Sequence, residues 1–214
     1  KTGRGVTVVW TCADGEYHLS EIGNRHVKHN QGEDVIPLPV GYTFPSIFTL
    51  KYQQDVENKA KKMFAELGIQ NGMMFMQCKV ENGTCYVYDI GYRLTGSMEY
   101  KIFDRVAGYN PLKMLINFAL TNKMCDENIA TKINPAIMCP SYNVSCLCAP
   151  GTIASIDGCD ELKESEGIID FILTHYPGDI IKKEMRGLLT QITVRVLGYV
   201  DTKEQLCEAM QNIG

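Results

Sequence analysis

The sequence predicts an α+β protein with a mainly antiparallel sheet, and three observations predict it. Two pairs of β-rich runs are each joined by an Asp-Gly or Asn-Gly turn, one long helical pattern separates the pairs, and a helix pair followed by short strands and a closing helix completes the 214 residues. Strands joined as hairpins exclude the strand–helix–strand repeat of a dinucleotide-binding fold.

Residues 5–12 and 16–22 flank Asp14-Gly15 and form the first hairpin. The stretch "NRHVKHNQGEDVIPLPVGYTFPS" is polar and basic, then proline-rich, and reads as a long functional loop. After Ser46, the residues Phe48, Tyr52, Val56, Ala60, Met63, Phe64 and Leu67 recur near a 3.6 period, which predicts a core-packed helix over about 47–67, ended by Gly68. "MMFMQCKV" and "TCYVYDIG" are strands of a second hairpin around Glu81-Asn82-Gly83. "MEYKIFDRVAG" reads as a helix ended by Gly108, and "NPLKMLINFALT" as one capped by Asn110 with Pro111 at its first position. The composition turns loop-like around Pro135 and Pro140, which divides the chain into residues 1–130 and a small β-rich unit, 131–214. In that unit "NVSCLCAP", "GTIASIDG", "EGIIDFILTHY" and "LLTQITVRVLGYV" read as short strands before a last helix, "TKEQLCEAMQNI", capped by Asp201 or Thr202.

Bulk properties narrow the function. Hydrophobic residues are 45% and charged residues 21% of the chain, as in an ordinary soluble protein, and the net charge of -4 gives no general attraction to nucleic acid or anionic membrane. Apolar runs such as "MLINFAL" fall well short of the ~20 residues that span a bilayer. The expectation is a soluble, cytoplasmic protein with neither nucleic acid nor membrane as partner. Nine cysteines, odd in number and without a C-x-x-C pair, read as buried reduced thiols; Cys146 and Cys148 would share a strand face, with a redox pair as the second reading. The chain opens on "KTGRGVTVVW" without a methionine and reads as an excerpt of a longer one.

The chemistry concentrates in "VYDIGYRLTGS", where Asp89 ends an apolar strand and is followed by Gly91, Arg93 and Gly96. On general priors Asp89 and Arg93 are a strand-end acid and its neighbouring base. The alternative is a divalent metal and phosphate site, for which one carboxylate and a second oxygen ligand suffice when phosphates and water complete the shell. The second ligand depends on register. A strict two-residue turn at Asn82-Gly83 sets Met76 opposite Asp89, whereas a three-residue turn bulged at Gly83 sets Gln77 there, and the pairing of two ligand-type side chains favours the bulged turn.

The hairpin "FMQCKVENGTCYVYDIGYRLTGS" resembles the metal-binding hairpin of the ATP-grasp superfamily, whose members join a carboxylate to an amine or similar nucleophile through an acyl-phosphate. The resemblance implies ATP and magnesium as cofactors, Asp89 and Gln77 as metal ligands, Arg93 as the cation on phosphate or acyl-phosphate, and Gly96 and Ser97 in the loop that follows. Gly91 stands where that family carries an asparagine ligand. The opening strands are similar to the segment after the adenine hinge, which makes Arg25 and Lys28 phosphate contacts, with His26 behind them. The tail resembles the β-rich C-terminal domain of L-amino-acid-ligase-like and biotin-carboxylase-like members. The resemblance therefore implies the C-terminal lobe of a ligase whose N-terminal lobe is absent, inactive as this piece alone, with nucleotide and small carboxylate and amine substrates as partners and room for a homodimer. A non-catalytic descendant for nucleotide sensing or protein interaction is the alternative that Gly91 and Gln77 favour.

Overall fold

The structure, a computed structural model, describes residues 4–28, 38–135 and 139–213. It is α+β with a mainly antiparallel sheet, as the sequence predicts. The chain forms two compact units, one of Lys1–Arg25 with Phe44–Cys139 and one of His26–Thr43 with Pro140–Gly214.

In the first unit, β1 (Arg4–Ala13), β2 (Glu16–Lys28, as far as Arg25), β4 (Gly72–Glu81) and β5 (Thr84–Gly91) are ordered β5-β4-β1-β2. Alternation sends one set of side chains to each face. Val6, Val8, Trp10 and Cys12 of β1, Met74, Met76, Cys78 and Val80 of β4, and Cys85 of β5 form one core, closed by Tyr52, Val56, Ala60 and Phe64. Those last four belong to a continuous helical stretch: α1 (Thr49–Tyr52), a π-helical turn (Gln53–Glu57) and α2 (Asn58–Glu66). The Trp10 indole N–H donates to the Tyr52 hydroxyl at 3.0 Å, and that hydroxyl donates to Met76 Sδ at 3.2 Å, so the polar atoms of this core are paired. Ser46 opens the stretch by accepting the Phe48 N–H at 3.0 Å.

The helix pair is α3 (Tyr100–Ala107), stopped by left-handed Gly108, and α4 (Pro111–Thr121), where Asn110 accepts the N–H groups of Leu112 and Lys113 at 3.0 and 3.1 Å. Phe103 and Tyr109 stack 5.7 Å apart, with the Tyr109 hydroxyl beside Ser20 and Thr11.

In the second unit β3 (Leu38–Phe44, as far as Thr43), β6 (Ser141–Leu147), β10 (Ile192–Tyr199) and β8 (Ile168–Leu173) are ordered β3-β6-β10-β8, and β7 (Gly151–Thr152) pairs with β9 (Ile180–Ile181). Tyr142, Val144 and Val196 make its core with Leu162 of α5 (Cys159–Glu164) and Leu206, Ala209 and Met210 of α6 (Lys203–Ile213). Thr202 caps α6 by accepting the Gln205 N–H at 3.2 Å, and the Gln205 side chain returns to the N–H groups of Asp201 and Thr202.

Three expectations are corrected. The long loop after Ile22 is in large part strand, because β2 runs on to Lys28 and Leu38–Phe44 form β3; residues 29–37 lie outside the described residues. "GTIASIDG" contributes only two strand residues, and a short helix, α5, starts where Gly158 takes a φ of 81°. All nine cysteines are unbridged, yet Cys146 and Cys148 are half-buried and Cys207 is exposed, so they are not uniformly interior. Among the described residues no helix is long and apolar enough to cross a membrane.

Candidate active site

The β4–β5 hairpin turns over two residues, Asn82 and Gly83, with φ of 50° and 76°, the double positive value of a type I′ turn. Glu81 faces Thr84, Val80 faces Cys85, Lys79 faces Tyr86 and Cys78 faces Val87. The register then shifts between Cys78 and Gln77: Tyr88 is extra, Gln77 faces Asp89, Met76 faces Ile90 and Phe75 faces Gly91. The expected partner of Asp89 is therefore correct, but its cause is not a bulged turn. Strict alternation from this tight turn would aim Asp89 at the core beside Met76. The bulge at Tyr88 re-aims it onto the opposite face with Gln77.

That face carries three lateral rows, read from the ladders on both sides of β1. Arg25, Gly5 and Lys79 make one; Gly23, Thr7, Gln77 and Asp89 the next; Glu21, Val9, Phe75 and Gly91 the third. In the first row the Arg25 side chain lies across Gly5, its Cβ, Cγ and Cδ within 3.3–3.7 Å of where a Gly5 side chain would begin. In the second, the Gln77 Nε2 donates to Thr7 Oγ1 at 3.4 Å, which leaves Oε1 buried and without a hydrogen-bond partner beside the exposed Asp89 carboxylate.

In the third row Phe75 occupies the volume a side chain at 91 would need. The Arg93 guanidinium stacks over the same ring, 4.7 Å from its centroid, and donates to the Leu94 carbonyl at 2.9 Å. Glu21 is fully buried; Oε1 accepts the Ile22 N–H at 2.9 Å and Oε2 is unpaired, and desolvation raises its carboxyl well above the ordinary carboxylate range. Beyond Arg93, exposed Gly96 and half-buried Ser97 lead to Met98, at a φ of 65°, and to Glu99. Glu99 is buried, accepts from the Thr95 hydroxyl, and keeps Oε1 unpartnered.

The fold thus brings Arg25, Gln77 and Asp89 onto one face, with Arg93 stacked there on Phe75 and with Gly96 and Ser97 in the adjoining loop. Lys28 ends β2 in the second unit, and its side chain lies outside the description. His26, also in that unit, hydrogen-bonds Thr43 Oγ1 at 2.9 Å, and partial desolvation of its ring lowers its affinity for a proton although the residue is exposed. Among the described residues no group of three or more His, Cys, Asp or Glu gathers to hold a metal, so a cation here would depend on ligands such as an amide oxygen and phosphate. Sequence reasoning missed Thr7, Lys79, Phe75 and Glu21. The polar Thr7 and Thr11 at every fourth position of an otherwise apolar strand, and the lone acid in "HLSEIG", were the available signals.

No protein-family model and no curated protein matches the chain. Solved structures do. An L-amino acid ligase from Bacillus licheniformis superposes with a TM-score of 0.77 at 19% identity, covering 98% of this chain and 52% of that one. A phosphoribosylglycinamide synthetase from Anaerococcus prevotii gives 0.68 at 10% identity over 99% and 51%. The biotin carboxylase domain dimer of Hydrogenobacter thermophilus 2-oxoglutarate carboxylase, in complex with MgADP and bicarbonate, gives 0.70 at 12% over 98% and 44%. These are ATP-grasp enzymes, and the chain has the ATP-grasp fold. It spans about half the length of the structures it matches.

Proposed function

We propose that this chain is the C-terminal lobe of an ATP- and magnesium-dependent ligase that joins a carboxylate to an amine through an acyl-phosphate. The single observation that carries the reading is the bulge at Tyr88, which turns Asp89 away from the core and opposite Gln77. A strand-end acid paired to a nearby base needs no such device.

The donor set suits a hard cation: Asp89 offers a carboxylate and Gln77 an amide oxygen without a hydrogen-bond partner among the described residues. When bound, magnesium would neutralise charge on the terminal phosphates. The remaining work falls to side chains of the chain. Arg93, fixed by its stack on Phe75 and its bond to Leu94, holds an oxygen of the moving phosphoryl group or of the acyl-phosphate. Arg25, laid across Gly5, takes a phosphate oxygen, and the Gly96–Ser97 loop borders the acceptor. In the reaction the substrate carboxylate attacks the terminal phosphorus and ADP leaves; the amine then attacks the acyl carbon and phosphate leaves. Preorganised charge-assisted contacts of this type are worth about 1.5–3 kcal/mol each.

The test is ATP-dependent phosphate release by the longest natural form of the protein with a panel of amino acids and other small carboxylates. Asp89→Ala and Arg93→Ala should each abolish it, and release that survives both substitutions removes these residues from the reaction. Residues 1–214 alone should not turn over. A second reading, a nucleotide-binding module without catalysis, is favoured by Phe75 occupying the space of a third ligand at position 91. Tight MgATP binding by the longest form without phosphate release selects it.

A further inference from the structure

The opposite face of the same hairpin carries two cysteines that the reading above does not use. Cys78 faces Val87 and Cys85 faces Val80, so the two thiols are diagonal neighbours on adjacent antiparallel strands and point into the same core. Both are buried, at 0% and 5% exposure. The backbone N–H of Cys85 does not pair with β4: it donates to Asp55 Oδ2 at 2.8 Å, from the π-helical turn that lies over the hairpin. Val80 and Cys85 therefore form a non-hydrogen-bonded pair, the type in which opposing side chains come closest. In the first unit β5 is an edge strand, ladder-bonded on one side only, so Cys85 is one local opening away from solvent.

We propose that Cys78 and Cys85 are a redox pair which a peroxide converts to a disulfide within the hairpin that carries Gln77 and Asp89. The Cys85 sulfur, the one nearer the open edge, attacks a peroxide oxygen; the O–O bond breaks, one oxygen stays as a sulfenic acid, and the other leaves as water. The Cys78 sulfur then attacks the Cys85 sulfur, the S–S bond forms, the S–O bond breaks, and the hydroxyl departs with the remaining thiol proton as a second water. Two thiols are oxidised and one peroxide is reduced. The neighbouring Cys78 thiol, as a donor, lowers the Cys85 thiol from its ordinary value, which favours Cys85 as the attacking sulfur. Diagonal partners stand roughly 7–8 Å apart at Cα against about 5.5–6 Å in a disulfide. Closing the bridge therefore draws β5 along β4 next to the bulge, and alters how Asp89 meets Gln77.

Trypsin cleavage after Lys79 separates the two cysteines, so only a bridge holds their peptides together. The folded, reduced full chain is treated with hydrogen peroxide, residual thiols are alkylated, and the non-reduced digest is read by mass spectrometry. The expected result is a Cys78–Cys85 linked peptide pair as the leading bridged species, reversed by dithiothreitol, and absent when the chain is first unfolded and fully alkylated. Recovery of both cysteines as separately alkylated peptides, or of Cys85 in a sulfinic form without a partner, overturns the proposal. Cys78→Ser should leave Cys85 oxidising beyond the sulfenic stage. Since the primary readout is on the unmodified sequence, it stands if that variant fails to fold, and it is independent of whether the opposite face binds nucleotide.

Discussion

Phe75 and Gly91 are cross-strand partners, and the Phe75 ring fills the volume in which any side chain at position 91 would have to begin. The φ of Gly91 is not in the left-handed region, so the ring and not the backbone demands glycine. Gly91→Asn alone should overpack the site and cost about 1–3 kcal/mol. In a Phe75→Ala background the same change should cost markedly less, because the ring is gone. Urea unfolding of the four proteins of this double-mutant cycle measures the difference, and equal costs in both backgrounds would refute the pairing.

Gln77→Glu would set two carboxylates directly opposite each other. Without metal the like charges should destabilise the hairpin by a fraction of a kcal/mol, up to about 1 kcal/mol. With magnesium or manganese present, the extra charge should tighten cation binding by roughly tenfold. The variant should therefore gain thermal stability on metal addition, by mass action, more than the natural sequence does. Asp89→Asn should lose that gain. Thermal shift with and without manganese, at fixed ATP, checks both signs.

Much of the site was legible because it obeys local rules. Asn82-Gly83 announces its turn, Asn110-Pro111 its helix start, and Gly108 its helix stop, and each adopts the backbone its side chain favours. The residue facing Asp89 was reached by preferring a pair of ligand-type side chains, and through the wrong turn: the bulge lies at Tyr88, which has no composition signal, since tyrosine suits an unbroken strand equally well. Thr7, Phe75 and Glu21 escaped for another reason. Their importance arises from rows across β2, β1, β4 and β5, and lateral neighbours up to about 70 residues apart in the chain are invisible until register is known. The strand character of residues 38–44 was hidden by Pro39 and Pro45, which read as loop signals although an element can begin beside one and end at the other.

Glu21 makes the stability of the first unit depend on pH. Its folded carboxyl titrates well above the ordinary value of 4.5, because burial opposes the charged form. Between the unfolded and the folded value the native state holds the extra proton, so stability is fully present below about 4.5 and falls as pH rises from there through the folded value. The limiting slope is about 1.4 kcal/mol per pH unit. Glu21→Gln keeps an oxygen for the Ile22 N–H and removes the titration. It should match the natural sequence near pH 4 and become increasingly the more stable of the two toward pH 8. Chemical unfolding at a series of pH values tests this, and parallel curves would exclude Glu21 as the source.

The lane across Gly5 makes a separate demand on binding. Arg25 crosses it with side-chain atoms 3.3–3.7 Å from the position of a Gly5 β-carbon, a fit that alanine would crowd and a branched side chain would break. Gly5 takes ordinary extended backbone, so Gly5→Val should fold, β-branched residues being favoured in strands. It should, however, lift the guanidinium off its row beside Gln77. If Arg25 contacts phosphate, tripolyphosphate affinity should fall roughly tenfold in Gly5→Val, similarly in Arg25→Gln, and no further in the double variant, because both changes remove one charge-assisted contact of about 1.5 kcal/mol or more. Calorimetric titration of the three variants distinguishes this from a merely structural arginine, for which the double variant would lose stability while tripolyphosphate affinity stayed at the level of the natural sequence.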